Sequence, residues 1–401
     1  MVRMSRVAIG AASLLVAGML TACSGVAGTP TAGELDVRTL EVGPYPVDRH
    51  KYDQNAGGKG ALLEGMRMAD TVPPTVKVDS SLIHGRGNTV FTDTETAIDF
   101  LANVSKPILE NRKMIAGYAA SGADKADPEG TTRPAAGTTA LTTVVLRFPD
   151  ESAAKNAAKE LEDADIGVSP DNRKLLSTKY PDAFVHWRPG IANAGAFYAH
   201  KSFVISLFVA RPRADSTDLV SWVDKTLAVQ IPILDGFQAT PADKLDSLKV
   251  DPDGLLARVA VQDRKEHTPD PQKFSIYGPN HFIHDSDDEA RAAKLLEETG
   301  VDKSANVSAS TVFRARDDAA AQQLVPGLIT EAGDKFDSIN APEDVPGAKC
   351  LRLNSKGDSQ REYKYRCYVP YKRYVGLVTS DKESDVRQKV AAQYALLANS
   401  L

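Results

Sequence analysis

The chain holds three cysteines, and their settings differ. Cys23 ends the run Leu20-Thr21-Ala22-Cys23, which closes an apolar stretch that begins at Val7 behind Arg3 and Arg6. Positive charge, an apolar segment too short to span a bilayer and small residues before a cysteine form the pattern of a secretory signal cut just ahead of that cysteine. A thiol at such a new N-terminus is the group that receives diacylglycerol, so Cys23 is the expected lipidation site. Cys350 and Cys367 are left as an even pair, which in an exported chain reads as a disulfide. Residues 348–353 and 362–369 both alternate like strands, with the turn-rich Asn354-Ser355-Lys356-Gly357-Asp358-Ser359 between them. A hairpin centred near Asp358 and Ser359 sets the two cysteines opposite each other. With no C-x-x-C spacing, the bridge is expected to staple that hairpin and not to do redox work.

His281, His284, Asp285 and Asp287 form the densest set of ligand-type side chains. Their spacing matches no zinc motif, and residues 286–289 explain the acids as a helix start, where the dipole favours negative charge. No metal is therefore expected. Asn55-Ala56-Gly57-Gly58-Lys59-Gly60 lacks both the hydroxyl residue after lysine and the preceding apolar strand of a phosphate loop, and reads as a flexible loop. There is no G-x-S-x-G elbow, and no two carboxylates stand out for acid–base work. The chain is expected to be no enzyme and to carry no cofactor. What remains is a basic-aromatic run in which Tyr363, Tyr365, Tyr368, Tyr371 and Tyr374 mingle with Lys364, Arg366, Lys372 and Arg373. Alternation puts Tyr363 and Tyr365 on the cysteine face of the strand. Rings beside cations suit a sugar, a lipid headgroup or a protein edge, while the same tyrosines are also ordinary strand formers. Tyr363, Tyr365, Arg366 and Arg373 are the candidate ligand-binding residues. Phe184, His186, Trp187 and Arg188 stand in the corresponding strand region of the first half, and Trp222, on a helix with Leu219, Val223 and Leu227, reads as core.

The elements that must position these residues come in two ordered sets. Thr143 to Asp150 and Thr311 to Asp318 each read as a strand running into an Ala-rich helix. Pro181-Asp182-Ala183 and Pro346-Gly347-Ala348 each lead into a strand. Phe203 to Val209 matches Tyr374 to Thr379, and each is followed by a polar break and a helix, from about Ser216 and Ser384. Val76-Lys77-Val78-Asp79 resembles Leu248-Lys249-Val250-Asp251. Thr92-Asp93-Thr94-Glu95 and Ser286-Asp287-Asp288-Glu289 both read as capping boxes, a hydroxyl first and a glutamate three later. Ordered matches of this kind indicate a tandem duplication of one α+β unit, an antiparallel-rich sheet packed with helices. The expected plan is a signal peptide over 1–22, a lipidated cysteine and Gly-rich tether over 23–33, a first domain over 34–237 and a second over 238–401. The Gly-, Pro-, Ala- and Thr-rich stretch from Ser121 to Thr138 reads as a mobile loop.

Composition agrees with a folded, exported protein. The formal net charge is −5, and removing a signal that holds two arginines and no acid takes it to −7. A mildly acidic surface argues against nucleic acid as a partner. Hydrophobic residues make up 42% of the chain, enough for two cores. No segment outside the signal is apolar over a membrane-spanning length, so lipid on Cys23 is the one anchor expected, holding the protein at the outer face of the cytoplasmic membrane.

The chain also resembles a group of two-domain lipoproteins of mycobacteria, nocardiae and related actinobacteria whose domain has no assigned function. The residues that carry the resemblance are 40–46 (LEVGPYP), 64–70 (EGMRMAD) running into Pro74 and 76–79, and 115–121 (IAGYAAS). It covers nearly all of the mature chain and implies an actinobacterial envelope address and a two-domain plan, with no activity or functional residue to carry over. The expected function is binding without turnover, of an envelope lipid or glycolipid or of a membrane-protein partner. The alternatives are a structural or accessory subunit of a membrane transporter or sensor and, behind it, an enzyme with an unrecognised site. A groove at the junction of the duplicated units, or a space between sheet and helices within one of them, is the expected place.

Overall fold

A computed structural model describes residues 35–128, 134–265 and 267–400; Cys23, the signal and the tether lie outside them. The first half runs α1 (Gly60–Arg67), α2 (Thr75–Val78), β1 (His84–Phe91), α3 (Thr94–Ala97), α4 (Lys106–Asn111), β2 (Ala116–Ala123), β3 (Ala140–Arg147), α5 (Glu151–Ile166), β4 (Arg173–Leu175), β5 (Phe184–Trp187), β6 (Asn193–His200), β7 (Phe203–Ala210) and α6 (Ser216–Gly236). The second runs β8 (Phe274–Tyr277), α7 (Pro279–His284), α8 (Glu289–Thr299), β9 (Lys303–Val307), β10 (Ser310–Arg314), α9 (Asp318–Glu331), β11 (Phe336–Ile339), β12 (Lys349–Leu353), β13 (Tyr365–Tyr371), β14 (Tyr374–Ser380) and α10 (Glu383–Asn399).

Each half folds into one seven-stranded antiparallel sheet, ordered β1-β2-β3-β7-β6-β5-β4 in the first and, from its β8 edge, β8-β9-β10-β14-β13-β12-β11 in the second. The orders superpose strand for strand. Helices repeat too: α5 and α9 follow the central strands β3 and β10, and α6 and α10 follow β7 and β14. The duplication is therefore a shared topology. Local chemistry recurs with it, since Asp150 and Asp317 cap α5 and α9 by accepting the backbone N–H three residues on.

Three local expectations change. The cap residues of α3 and α8 are Asp93 and Asp288, whose carboxylates accept from the N–H groups of Thr96 and Arg291, and not Thr92 and Ser286. The box glutamates are engaged elsewhere: Glu95 pairs with Lys106 and Glu289 bonds to the first half. Residues 76–79 and 248–251 share no element, because the former belong largely to the helical turn α2 while the latter form no helix or strand. Finally, β2 continues through Ala123, so Ser121 is strand and the loop begins at Asp124.

Both alternating residue sets of β2 are buried, and nearly so in β13, which means that helices cover both faces of each sheet. In the second half α9 packs on Tyr368, Leu351 and Val375. On the opposite face, α10 packs with the arm of residues 37–47, which alternation and spacing assign to the first domain. Tyr45 joins Ala260, Ala392 and Leu396 in an apolar cluster, its hydroxyl donates to Asp385 at 2.9 Å, and Asn399 donates to the Val47 carbonyl at 2.8 Å. The described residues from 37 onward form one unit. The connection after α6 is held by buried Glu64, which pairs with Arg147 and accepts from the amide and hydroxyl of Thr240 at 2.9 Å each.

Candidate functional site

The two halves meet along α7 and the start of α8, which lie against β1, β2 and the segment before α2. Two glycines permit the approach. A Cβ on Gly278 would fall 1.6 Å from Asp70 Oδ2, and one on Gly85 would fall 2.4 Å from the Ser286 carbonyl oxygen. With Gly278 bare, the Asn280 amide N–H donates to Asp70 Oδ1 at 3.2 Å and its side chain to the Val72 carbonyl at 3.0 Å. The β1–β2 register shifts between Gly85 and Asn88, and Gly87 there takes a φ of +90°. Such an irregularity re-aims the following side chain. Asn88 donates across the junction to the His281 carbonyl at 3.2 Å and to Asp285 Oδ1 at 2.8 Å.

Deeper in, Tyr118 Oη lies 2.9 Å from His284 Nδ1. Glu289 accepts from Thr75 Oγ1 and from the Val76 N–H at 2.9 Å each, and its own N–H donates to the Ile83 carbonyl at 2.7 Å. Burial disfavours the charged forms here. It lowers His281 to about 4 and His284 to about 3, and it pushes Glu289 up to about 7 against the hydrogen bonds from Val76 and Thr75. The junction is thus held by neutral histidines and a carboxyl that keeps its proton towards neutrality.

Cavities open on either side of Tyr277. One, of about 710 Å³, is lined from β1 by Asn88 and from the second half by Tyr277, His281, Asn306 and Thr311. Its polar groups are ordered among themselves: Tyr277 stacks on His281 with ring centres 3.6 Å apart, its hydroxyl donates to the Pro271 carbonyl, and Thr311 donates to Asn306 at 2.8 Å. The other, of about 490 Å³, has apolar walls from both halves, Leu63 and Met66 of α1 facing Phe274 and Ile276 of β8 with Phe237 and Val250 of the connection. A third, of about 330 Å³, adjoins the second through Lys249 and Pro252 and is lined by Arg49, Lys51, Asp251 and Arg258. Among the described residues no group of three or more His, Cys, Asp or Glu side chains is placed to hold a metal ion, and no helix is long and apolar enough to cross a membrane.

The candidates from the sequence fall as follows. Cys350 and Cys367 stand directly opposite on β12 and β13 and are joined in a disulfide. Tyr365 does alternate with Cys367, but both are buried, as are Tyr368, Tyr371 and Tyr374. Tyr363 precedes the strand and is 45% exposed. Arg366 lies 3.8 Å over the Phe336 ring and pairs with Glu362, while Arg373 Nε donates to the Ala315 carbonyl at 2.9 Å. These residues do not gather into one open surface, because helices cover the face that simple alternation leaves to solvent. His281 and His284 do not converge either: one stacks on Tyr277 and the other meets Tyr118. His186 is taken up by Glu162, 2.7 Å from its Nδ1. Its strand β5 is the counterpart of β12, not of the tyrosine strand β13. Trp222 is buried beneath the Arg211 guanidinium.

Sequence reading missed the cavity walls at Tyr277, Phe274 and Ile276. A signal was present in His84-Gly85-Arg86-Gly87-Asn88, since glycines inside a strand mark a bulge or a close backbone approach.

Residues 51–250 match the family model described as "Domain of unknown function (DUF7373) N-terminal", and residues 255–400 match "Domain of unknown function (DUF7373) C-terminal". No curated protein matches the sequence. Among solved structures, the extracellular domain of PknH from Mycobacterium tuberculosis is similar with a TM-score of 0.26 and 9% identity, over 40% of this chain and 93% of that one.

Proposed function

We propose that this chain, which belongs to the DUF7373 family, is a lipoprotein of the actinobacterial cell envelope that binds a ligand without turnover at the junction of its two halves. Lipid on Cys23 would hold it at the outer face of the cytoplasmic membrane, an address supported by the signal pattern before that cysteine. The observation that carries the binding reading is the pair of cavities meeting at Tyr277, with walls drawn from both halves. Pockets favour such junctions, and these are large enough for a small organic molecule. In the larger, Tyr277 and Thr311 already bond within the wall, which supports reading it as a preformed binding surface.

Native mass spectrometry of the full chain, extracted from its own membranes, tests this. A non-covalent adduct should accompany the wild type and disappear in Ile276→Arg, which places a charge in the apolar wall. It should persist in Leu176→Arg, a change at a site 84% exposed. An unchanged adduct in Ile276→Arg, or none in the wild type, counts against the junction as the binding site. Chemical conversion of the bound molecule on incubation would overturn the non-catalytic reading.

A further inference from the structure

The segment Leu248-Lys249-Val250-Asp251-Pro252 runs between two cavities of opposite character. Leu248 and Val250 line the apolar cavity of about 490 Å³, Asp251 lines the polar one of about 330 Å³, and Lys249 and Pro252 line both. The polar cavity has an excess of available positive charge. Its acids are already engaged: Asp251 accepts from the N–H groups of Leu256 and Ala257 at 3.0 Å each, and Asp253 is paired with Lys303 at 2.7 Å and Arg314 at 3.2 Å. Its cations have no ion-pair partner among the described residues. Arg49, Lys51 and Lys249 are exposed and have no carboxylate partner among the described residues. Arg258 donates only to carbonyls, those of Asp253, Gly254 and Ser400, and its buried Nε has no partner among the described residues. Buried donors call for acceptors, and four cations beside two acids that are bonded elsewhere call for an anion. The adjoining cavity offers a mostly apolar surface, with Leu, Met, Phe, Val and Ile residues making up much of its walls beside Arg67, Asp70, Asp302 and Lys303.

We infer that these two cavities form one site for an anionic amphiphile, its alkyl chain lying in the slot between α1 and β8 and its acidic head among Arg49, Lys51, Lys249 and Arg258. This rests on the reading of the junction as a binding site and names the ligand class. Lys249 is the pivot, since it lines both spaces, and a lysine can neutralise the head while its methylenes cover the chain.

Equilibrium dialysis against the full chain in lipid nanodiscs, with empty nanodiscs as the partition control, tests the assignment. The probes are hexyl, octyl and decyl phosphate, decanol and inorganic phosphate. Each methylene that enters an apolar site tightens binding by up to about fourfold, so affinity should climb along the alkyl phosphate series. Decanol and inorganic phosphate should each bind at least about tenfold more weakly than decyl phosphate. Lys249→Glu, at an exposed position, should weaken decyl phosphate by about tenfold. Leu248→Glu should weaken it further, with circular dichroism checking that the variant folds. Inorganic phosphate binding as tightly as decyl phosphate would show a free-anion site, and decanol doing so would show an apolar slot alone. Either result, a Lys249→Glu variant that binds normally, or no saturable binding, overturns the inference. If the adduct lost in Ile276→Arg proves to be a neutral compound while decyl phosphate fails to bind, the junction stands as a binding site and only the amphiphile is ruled out.

Discussion

Glu289 is fully buried at the head of α8, with one carboxylate oxygen bonded to Thr75 and Val76 of the other half and the second without a partner. Its carboxyl is raised from 4.5 to about 7. Between those values the folded protein keeps a proton that the unfolded chain has lost, so this group removes stability as pH rises from 4.5 to 7, by up to about 3 kcal/mol. His281 and His284 act with the opposite sign. Their folded values of about 4 and about 3 lie below the ordinary 6.5, so the unfolded chain gains protons first and stability falls as pH drops below 6.5. The two effects oppose each other between pH 4.5 and 6.5, and a single variant separates them. Denaturant titrations should show the stability of wild type relative to Glu289→Gln declining by about 2–3 kcal/mol between pH 4.5 and 7.5. A difference independent of pH would mean that Glu289 is ionised when buried.

At the level of elements, the junction depends on how closely β1 can approach the end of α7. A methyl group on Gly85 would meet the backbone oxygens of Ser286 at 2.4 Å and His284 at 2.9 Å, and backbone cannot rotate away as a side chain can. Gly85→Ala should therefore cost about 1–3 kcal/mol through overpacking, with faster hydrogen exchange at residues 284–286. Gly236→Ala is the control, since nothing lies within 4 Å of its added carbon; it should be neutral or slightly stabilising. Equal effects of the two changes would argue against a tight junction. On the far side of the second sheet, the bridge between β12 and β13 closes a segment with a sequence separation of 17. In the chain-entropy account, the double change Cys350→Ala, Cys367→Ala should lower stability by about 3 kcal/mol. Thermal unfolding would show this, and an unaltered midpoint would place the bridge outside the stabilising interactions.

For the whole molecule, the path of the chain matters. Residues 37–47 pack on α10 before the chain builds the first half, so the segment leading in from the proposed anchor is tied to the second half. Cys23→Ala should leave an uncleaved precursor or release the protein to the medium, which fractionation with N-terminal mass analysis would detect. Membrane retention of a correctly cut, unlipidated form would sink the anchoring proposal.

Much of this plan is short-range and legible along the chain. Strand alternation, aspartates before helices and turn residues between paired strands are properties of neighbouring residues. They sufficed for the duplicated α+β unit and for the facing of Cys350 and Cys367, whereas the order of strands in each sheet came only with the fold. Alternation also suggested that a strand such as β13 keeps an open face, and there it misled. Whether a second helix covers that face depends on residues far away, and α9 and α10 together bury the tyrosines that looked available. The junction was hidden for the same reason. Glu289 reads locally as a capping residue, yet its partners are Thr75 and Val76. Gly85 reads as a weak point in a strand, yet it makes room for Ser286, some two hundred residues on. Apolar period and capping specify an element and its faces by steric rules over a few residues. Which faces meet, and which gaps remain between them as cavities, is set by volume and charge brought together only when the chain is packed.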